Sequence, residues 1–90
     1  MSAGDTALTF TDSTDKCSVE HWTITTNGTT AVTIGTKLKR VYSGHATWGA
    51  DSAGEALQVE ISHSGGKPTV TAESSGTAEV TAYVTLTGRP

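Results

Sequence analysis

Apolar and polar residues alternate with period two along most of this chain. The clearest stretch runs from 56 to 87. Leu57, Val59 and Ile61 alternate with Gln58, Glu60 and Ser62; Val70 and Ala72 alternate with Thr69, Thr71 and Glu73; Val80, Ala82, Val84 and Leu86 alternate with Glu79, Thr81, Tyr83 and Thr85. Gly65-Gly66 and Ser75-Gly76-Thr77 separate the runs. Such alternation marks strands with one buried face. A Gly-Gly pair favours a two-residue hairpin turn, which pairs Ser64 with Lys67, Ile61 with Val70 and Val59 with Ala72. A three-residue loop at 75–77 then pairs Ala72 with Val80 and Val70 with Ala82. A two-residue loop there would put the apolar set on both faces, because a one-residue slip flips every side chain. The expectation is a C-terminal three-stranded antiparallel meander. Its polar face carries Tyr83, a threonine ladder (Thr69, Thr71, Thr81, Thr85) and Glu73 directly opposite Glu79.

The upstream half predicts more short strands. Ala7–Thr11 alternates, with Leu8 and Phe10 expected on one face, and Asp12–Lys16 has loop composition. Ser18–Thr26 and Thr29–Ile34 flank Asn27-Gly28. A three-residue loop at 27–29 pairs Ile24 with Val32 and Trp22 with Ile34, which gives one apolar face and places Trp22 in the core. The segment 37–48 keeps no single parity; a strand over Arg40–Thr47 with a bulge near Gly44 fits it. Trp48–Glu55 reads as a loop of small residues. No segment sustains a 3.6-residue period. The fold class expected is all-β: a small antiparallel β-sandwich or barrel of six to seven short strands ending in the meander. Ninety residues make one domain, 1–90, with 1–6 as an N-terminal arm.

Composition makes that domain unusual. Only 15 of 90 residues are Leu, Ile, Val or Phe, while 18 are Thr and 9 Ser. A core this thin, with one cysteine and hence no internal disulfide, predicts a domain that gains burial from a partner or from its own copies. Nine acids against six bases, net −3, leave no footprint for nucleic acid. Met1–Asp5 has neither a basic start nor an apolar stretch, which predicts no signal peptide, no membrane anchor and synthesis in a cytoplasm.

Chemistry is sparse. Cys17 and His21 are spaced as two zinc ligands could be, but no second pair accompanies them; a free thiol and a half-exposed histidine describe them better. His63 has the parity of the buried face beside Gly65 and reads as a rim residue, and His45 as a solvent or interface group. Glu73 and Glu79 could be a calcium-binding or glycosidase-type carboxylate pair or a docking site for a basic group of a partner, or stand solvated. The sequence shows no Ser/His/Asp set, nucleotide loop or metal cluster, so no enzyme, cofactor or metal is expected. Candidate partner-interface residues are Lys37, Lys39, Arg40, Trp48, Glu73, Glu79 and Tyr83.

The stretches Val19–Gly35 and Val70–Gly88 typify the chain: short, acidic, rich in Thr, Ser, Gly and Ala, and built of brief strands. In this overall character it resembles small bacteriophage capsid decoration (cement) proteins and related virion accessory subunits. The resemblance implies a viral structural protein on the capsid surface. It would bind the major capsid protein or other virion subunits, as a homo-oligomer with a trimer favoured, and without nucleic acid or membrane. A different class is a non-catalytic binding module, carbohydrate-binding or Ig-like, with Trp22, Trp48, Tyr42 and Tyr83 as candidate stacking aromatics.

Overall fold

The computed structural model describes residues 3–13, 17–50, 54–77 and 79–90. It is all-β, with seven strands: β1 (Thr6–Ser13), β2 (Ser18–Thr25), β3 (Val32–Ile34), β4 (Arg40–Trp48), β5 (Leu57–Ser64), β6 (Lys67–Ser74) and β7 (Thr81–Arg89). Every pairing is antiparallel. The strands form a four-stranded sheet, β1-β2-β7-β4, and a three-stranded sheet, β3-β6-β5. The two sheets stay separate, so the closed-barrel alternative does not hold among the described residues.

The β5–β6 hairpin has the register expected from its sequence: Ser64 faces Lys67, Ile61 faces Val70 and Val59 faces Ala72. Gly65 and Gly66 both have positive φ, 60° and 79°, the conformation that a two-residue type I′ turn demands at both central positions. The meander itself is wrong. After β6 the chain leaves this sheet, and β7 enters the other one between β2 and β4, with Ala82 facing Ile24 and Trp48. Glu73 and Glu79 therefore do not oppose each other across a ladder. The β2–β3 hairpin is also corrected. Asn27-Gly28 makes a tight turn closed by Thr30 N–H donating to Asn27 O, 3.0 Å. β3 then pairs with β6, Val32 on Ala72 and Ile34 on Val70. In both places the parity of the buried side chains is as expected and the partner strand is not.

The inward side chains of both sheets meet in one cluster. Trp22, Ile24, Val41, Ala82, Val84 and Leu86 come from the four-stranded sheet, and Ile34, Val70 and Ala72 from the other. Leu57, Val59 and Ile61, on the edge strand β5, are half-buried against it. Gly44 serves this junction. A Cβ there would lie 3.1 Å from Leu86, 3.3 Å from Val59 and 3.4 Å from Ile61, so its bare backbone lets β5 side chains pack against β4. The bulge expected near Gly44 is present at Tyr42, between Val41 and Ser43. A second bulge, at Thr9, separates Leu8 from Phe10. It turns Phe10 to the outer surface, so the two do not share a face. Ala3–Asp5 is tied to the end of β2: Gly4 N–H donates to Thr25 O and Thr25 N–H to Asp5 O, both at 3.0 Å. The arm expected over 1–6 falls partly on this tied stretch, and its first two residues lie outside the described ones.

Candidate functional site

Three surfaces of the molecule differ from an ordinary solvated face. The first is the outer face of the four-stranded sheet. Alternation in β2, β7 and β4 puts His21, Thr85 and His45 in one row, and Thr23, Tyr83 and Thr47 in the next. The bulge at Thr9 adds Phe10, whose ring stacks on His21 with centroids 4.1 Å apart and planes 20° from parallel. Phe10 and Tyr83 are each 51% exposed, and Tyr42, at the β4 bulge, 58%; exposed aromatic side chains are enriched at contact hot spots. Tyr83 is positioned rather than loose. Its ring covers Gly49, where a Cβ would come within 2.9 Å of Cε2, and Gly49 N–H donates to Thr81 O at 2.7 Å. Among the described residues, charge on this face is confined to its margins, with Asp12 on β1 and Arg40 opposite Arg89 at one strand end.

The second surface is that same end of the molecule. Lys37 and Lys39 lie in the β3–β4 connection, Arg40 starts β4, Lys67 starts β6 and Arg89 ends β7. Antiparallel pairing brings all of these termini to one side. Five of the six bases thus share one end; the sixth, Lys16, lies outside the described residues. An open groove of about 430 Å³ runs here between the β3–β4 connection and the β5–β6 turn, lined by Thr36, Leu38, Lys39, Gly66, Lys67 and Pro68.

The groove wall is anchored from within by Glu20. This carboxylate is almost fully buried, 1% exposed. Its Oε1 accepts from Trp22 Nε1 at 3.1 Å and from Thr36 Oγ1 at 2.5 Å. Its Oε2 accepts from Lys37 N–H at 2.9 Å. Thr36 Oγ1 in turn accepts from Leu38 N–H, 3.2 Å, and Lys39 N–H donates to Arg89 O, 2.8 Å. His63 Nε2 accepts from Val41 N–H at 3.2 Å, joining the end of β5 to β4. Buried carboxyl oxygens are tolerated only where donors satisfy them, and here those donors fix the connection that carries Lys37 and Lys39. Sequence reading passed over Glu20. Its inward parity with Trp22 and Ile24 was the available signal: a carboxylate on the core side of a strand must be held by something.

The third surface is the opposite end, where Asp5, Glu55, Glu73 and Glu79 gather from the starts of β1, β5 and β7 and the end of β6. Ser74 Oγ donates to Glu55 Oε2 at 3.0 Å. Gly76 packs directly against that carboxylate, and a Cβ there would make the Glu55 side chain move. Glu73 and Glu79 are exposed.

The residues singled out in the sequence are thus divided among three places. Lys37, Lys39 and Arg40 come together at the basic end. Glu73 and Glu79 share the acidic end. Tyr83 stands on the aromatic face. Trp48 is apart from them: it is half-buried against the core, and its Nε1 donates to Glu55 O at 2.9 Å. Of the other aromatics weighed as a stacking platform, Trp22 is buried, while Tyr42 and Tyr83 are exposed. Cys17 precedes β2 and is partly buried. Among the described residues no group of three His, Cys, Asp or Glu side chains is placed to hold a metal ion. No protein-family model matches the chain, and neither curated proteins nor solved structures give a match.

Proposed function

We propose that this chain is a non-catalytic structural subunit of a virus particle, a decoration protein that binds the outer shell and stabilises it by protein–protein contact. The observation that carries the reading is the outer face of the four-stranded sheet: Phe10, Tyr83, His21 and His45 set among threonines, with charge only at the margins. A face that keeps aromatic rings in water, with few groups costly to desolvate, suits burial against another protein. The sparse apolar composition agrees with a domain that gains stability on a lattice. In the same reading the two sheets are the layers of a β-sandwich, with the coat protein covering the four-stranded layer.

The test has two arms. The gene is expected beside those for coat and portal proteins, and the purified protein is expected to pellet with particles of the virus whose genome encodes it. Pelleting should saturate at a fixed ratio to coat protein and fall with Tyr83→Asp. A gene remote from any virion cluster, together with a stable monomer that binds immobilised glycans saturably and ignores the particles, would overturn the reading in favour of a sugar-binding module.

A further inference from the structure

The distribution of charge carries a second, independent consequence. The chain's net charge of −3 hides a strongly polar molecule. Lys37, Lys39, Arg40, Lys67 and Arg89 occupy one end, and Asp5, Glu55, Glu73 and Glu79 the other. The strands between are eight or nine residues long, apart from the short β3, which separates the ends by about 25–30 Å at roughly 3.3 Å per residue. That is several screening lengths, about 8 Å each at physiological ionic strength, so the two ends act on their surroundings as separate charges.

The described acids at the basic end do little to neutralise it. Glu20 is buried and its oxygens are taken by Trp22, Thr36 and Lys37. Asp12 lies out on edge strand β1. The basic end is also concave: the groove of about 430 Å³ has Lys39 and Lys67 among its lining residues and Leu38 and Pro68 beside them. Its walls are held in place by Glu20, Arg89 O and the β5–β6 turn, so little ordering is needed on binding. The acidic end supplies the complement, with Glu73 and Glu79 exposed at strand termini.

We infer that the groove receives the acidic end of a second copy of this chain, with Lys39 and Lys67 meeting Glu73 and Glu79, so that copies associate head to tail. The two surfaces in contact differ, so the contact is heterologous. It closes as a ring if the rotation per copy allows, and otherwise continues as an open row. It leaves the aromatic face of every copy pointing away from the contact and free for a shell. This inference goes beyond the decoration reading and does not depend on it.

Sedimentation velocity on the whole chain tests it. Lowering salt from about 1 M to about 10 mM lengthens the screening distance from about 3 Å to about 30 Å, and the wild-type protein should pass from monomer to assemblies larger than a dimer or to a closed ring. Lys39→Glu/Lys67→Glu and, separately, Glu73→Lys/Glu79→Lys should each weaken association at least about tenfold. An equimolar mixture of the two double variants should recover pairwise association, because each then offers one native surface. Circular dichroism of each variant checks that it is folded, and Lys39→Gln/Lys67→Gln gives a milder neutralisation should the reversals disturb the fold. A wild-type protein that stays monomeric at low salt, or a mixture that recovers nothing although both variants are folded, overturns the inference. Pelleting with virus particles is a separate readout, so failure here is distinguishable from failure of the decoration reading.

Discussion

The two sheets solve the same problem with different materials. The three-stranded sheet is regular. Its ladders contain no bulge, its hairpin turn is two glycines, and its outer face is Gln58, Glu60, Ser62, Thr69, Thr71 and Glu73, groups that water solvates readily. The four-stranded sheet is bulged at Thr9 and Tyr42 and depends on Gly44 and Gly49 for close approach. It also buries a carboxylate and shows aromatic rings to solvent. Regularity costs little and does little. The irregular sheet spends stability on features that place side chains, which is where a surface under selection for contact is expected.

That contrast can be broken most severely at Glu20. Glu20→Ala leaves the Trp22 indole N–H, the Thr36 hydroxyl and the Lys37 N–H without their acceptor, and should cost about 3–5 kcal/mol. A domain of this size holds only about 5–13 kcal/mol in all, so urea unfolding should show a protein near its limit, with Glu20→Gln retaining more. Next comes Gly44→Val, which drives a side chain into Leu86, Val59 and Ile61 and should cost about 1–3 kcal/mol in the same assay. On the regular sheet the corresponding weak point is milder. Gly65→Ala, at φ 60°, should cost about 1 kcal/mol through backbone strain alone, with the midpoint shifted and the denaturant slope unchanged. Phe10→Asp should also cost about 1 kcal/mol, through the lost stack on His21, yet on the decoration reading it should weaken particle binding at least about tenfold. Thr71→Asp, on the outer face of the other sheet, should leave binding unchanged. Equal losses from both would mean that the two faces do not differ in function.

How much could be read in advance follows the same division. The β5–β6 hairpin was legible because its turn and its partners lie within about a dozen positions of each other, and Gly65-Gly66 admits few alternatives. The partner of β7 was not. Ala82, Val84 and Leu86 present the same inward face whether β7 lies beside β6 or between β2 and β4, so parity fixes the face and is silent on the neighbour. Phe10 was misplaced because Leu8-Thr9-Phe10 alternates like any strand, and nothing local announces the bulge. Candidate charges fared similarly. Lys37, Lys39 and Arg40 are adjacent in sequence and were found as a group. Lys67 and Arg89 join them only once antiparallel pairing folds distant strand ends together. Tyr83 was correctly expected on an outward face, and the rings of Phe10 and His21 beside it emerged only from the register.

The position of β7 has one more consequence. Among the described strands it is synthesised last, yet it is the one that β2 and β4 both take as a partner. Until residues 81–89 emerge, β4 has no ladder to join and β2 has one open side, while the β1–β2 hairpin, the β5–β6 hairpin and the β3–β6 pair can already form. Completing the four-stranded sheet is then a late closure over long sequence separations, of the kind that slows folding. During that wait, unpaired edges rich in threonine are exposed to other nascent copies. The open sides of β2 and β4 are covered only when β7 inserts between them.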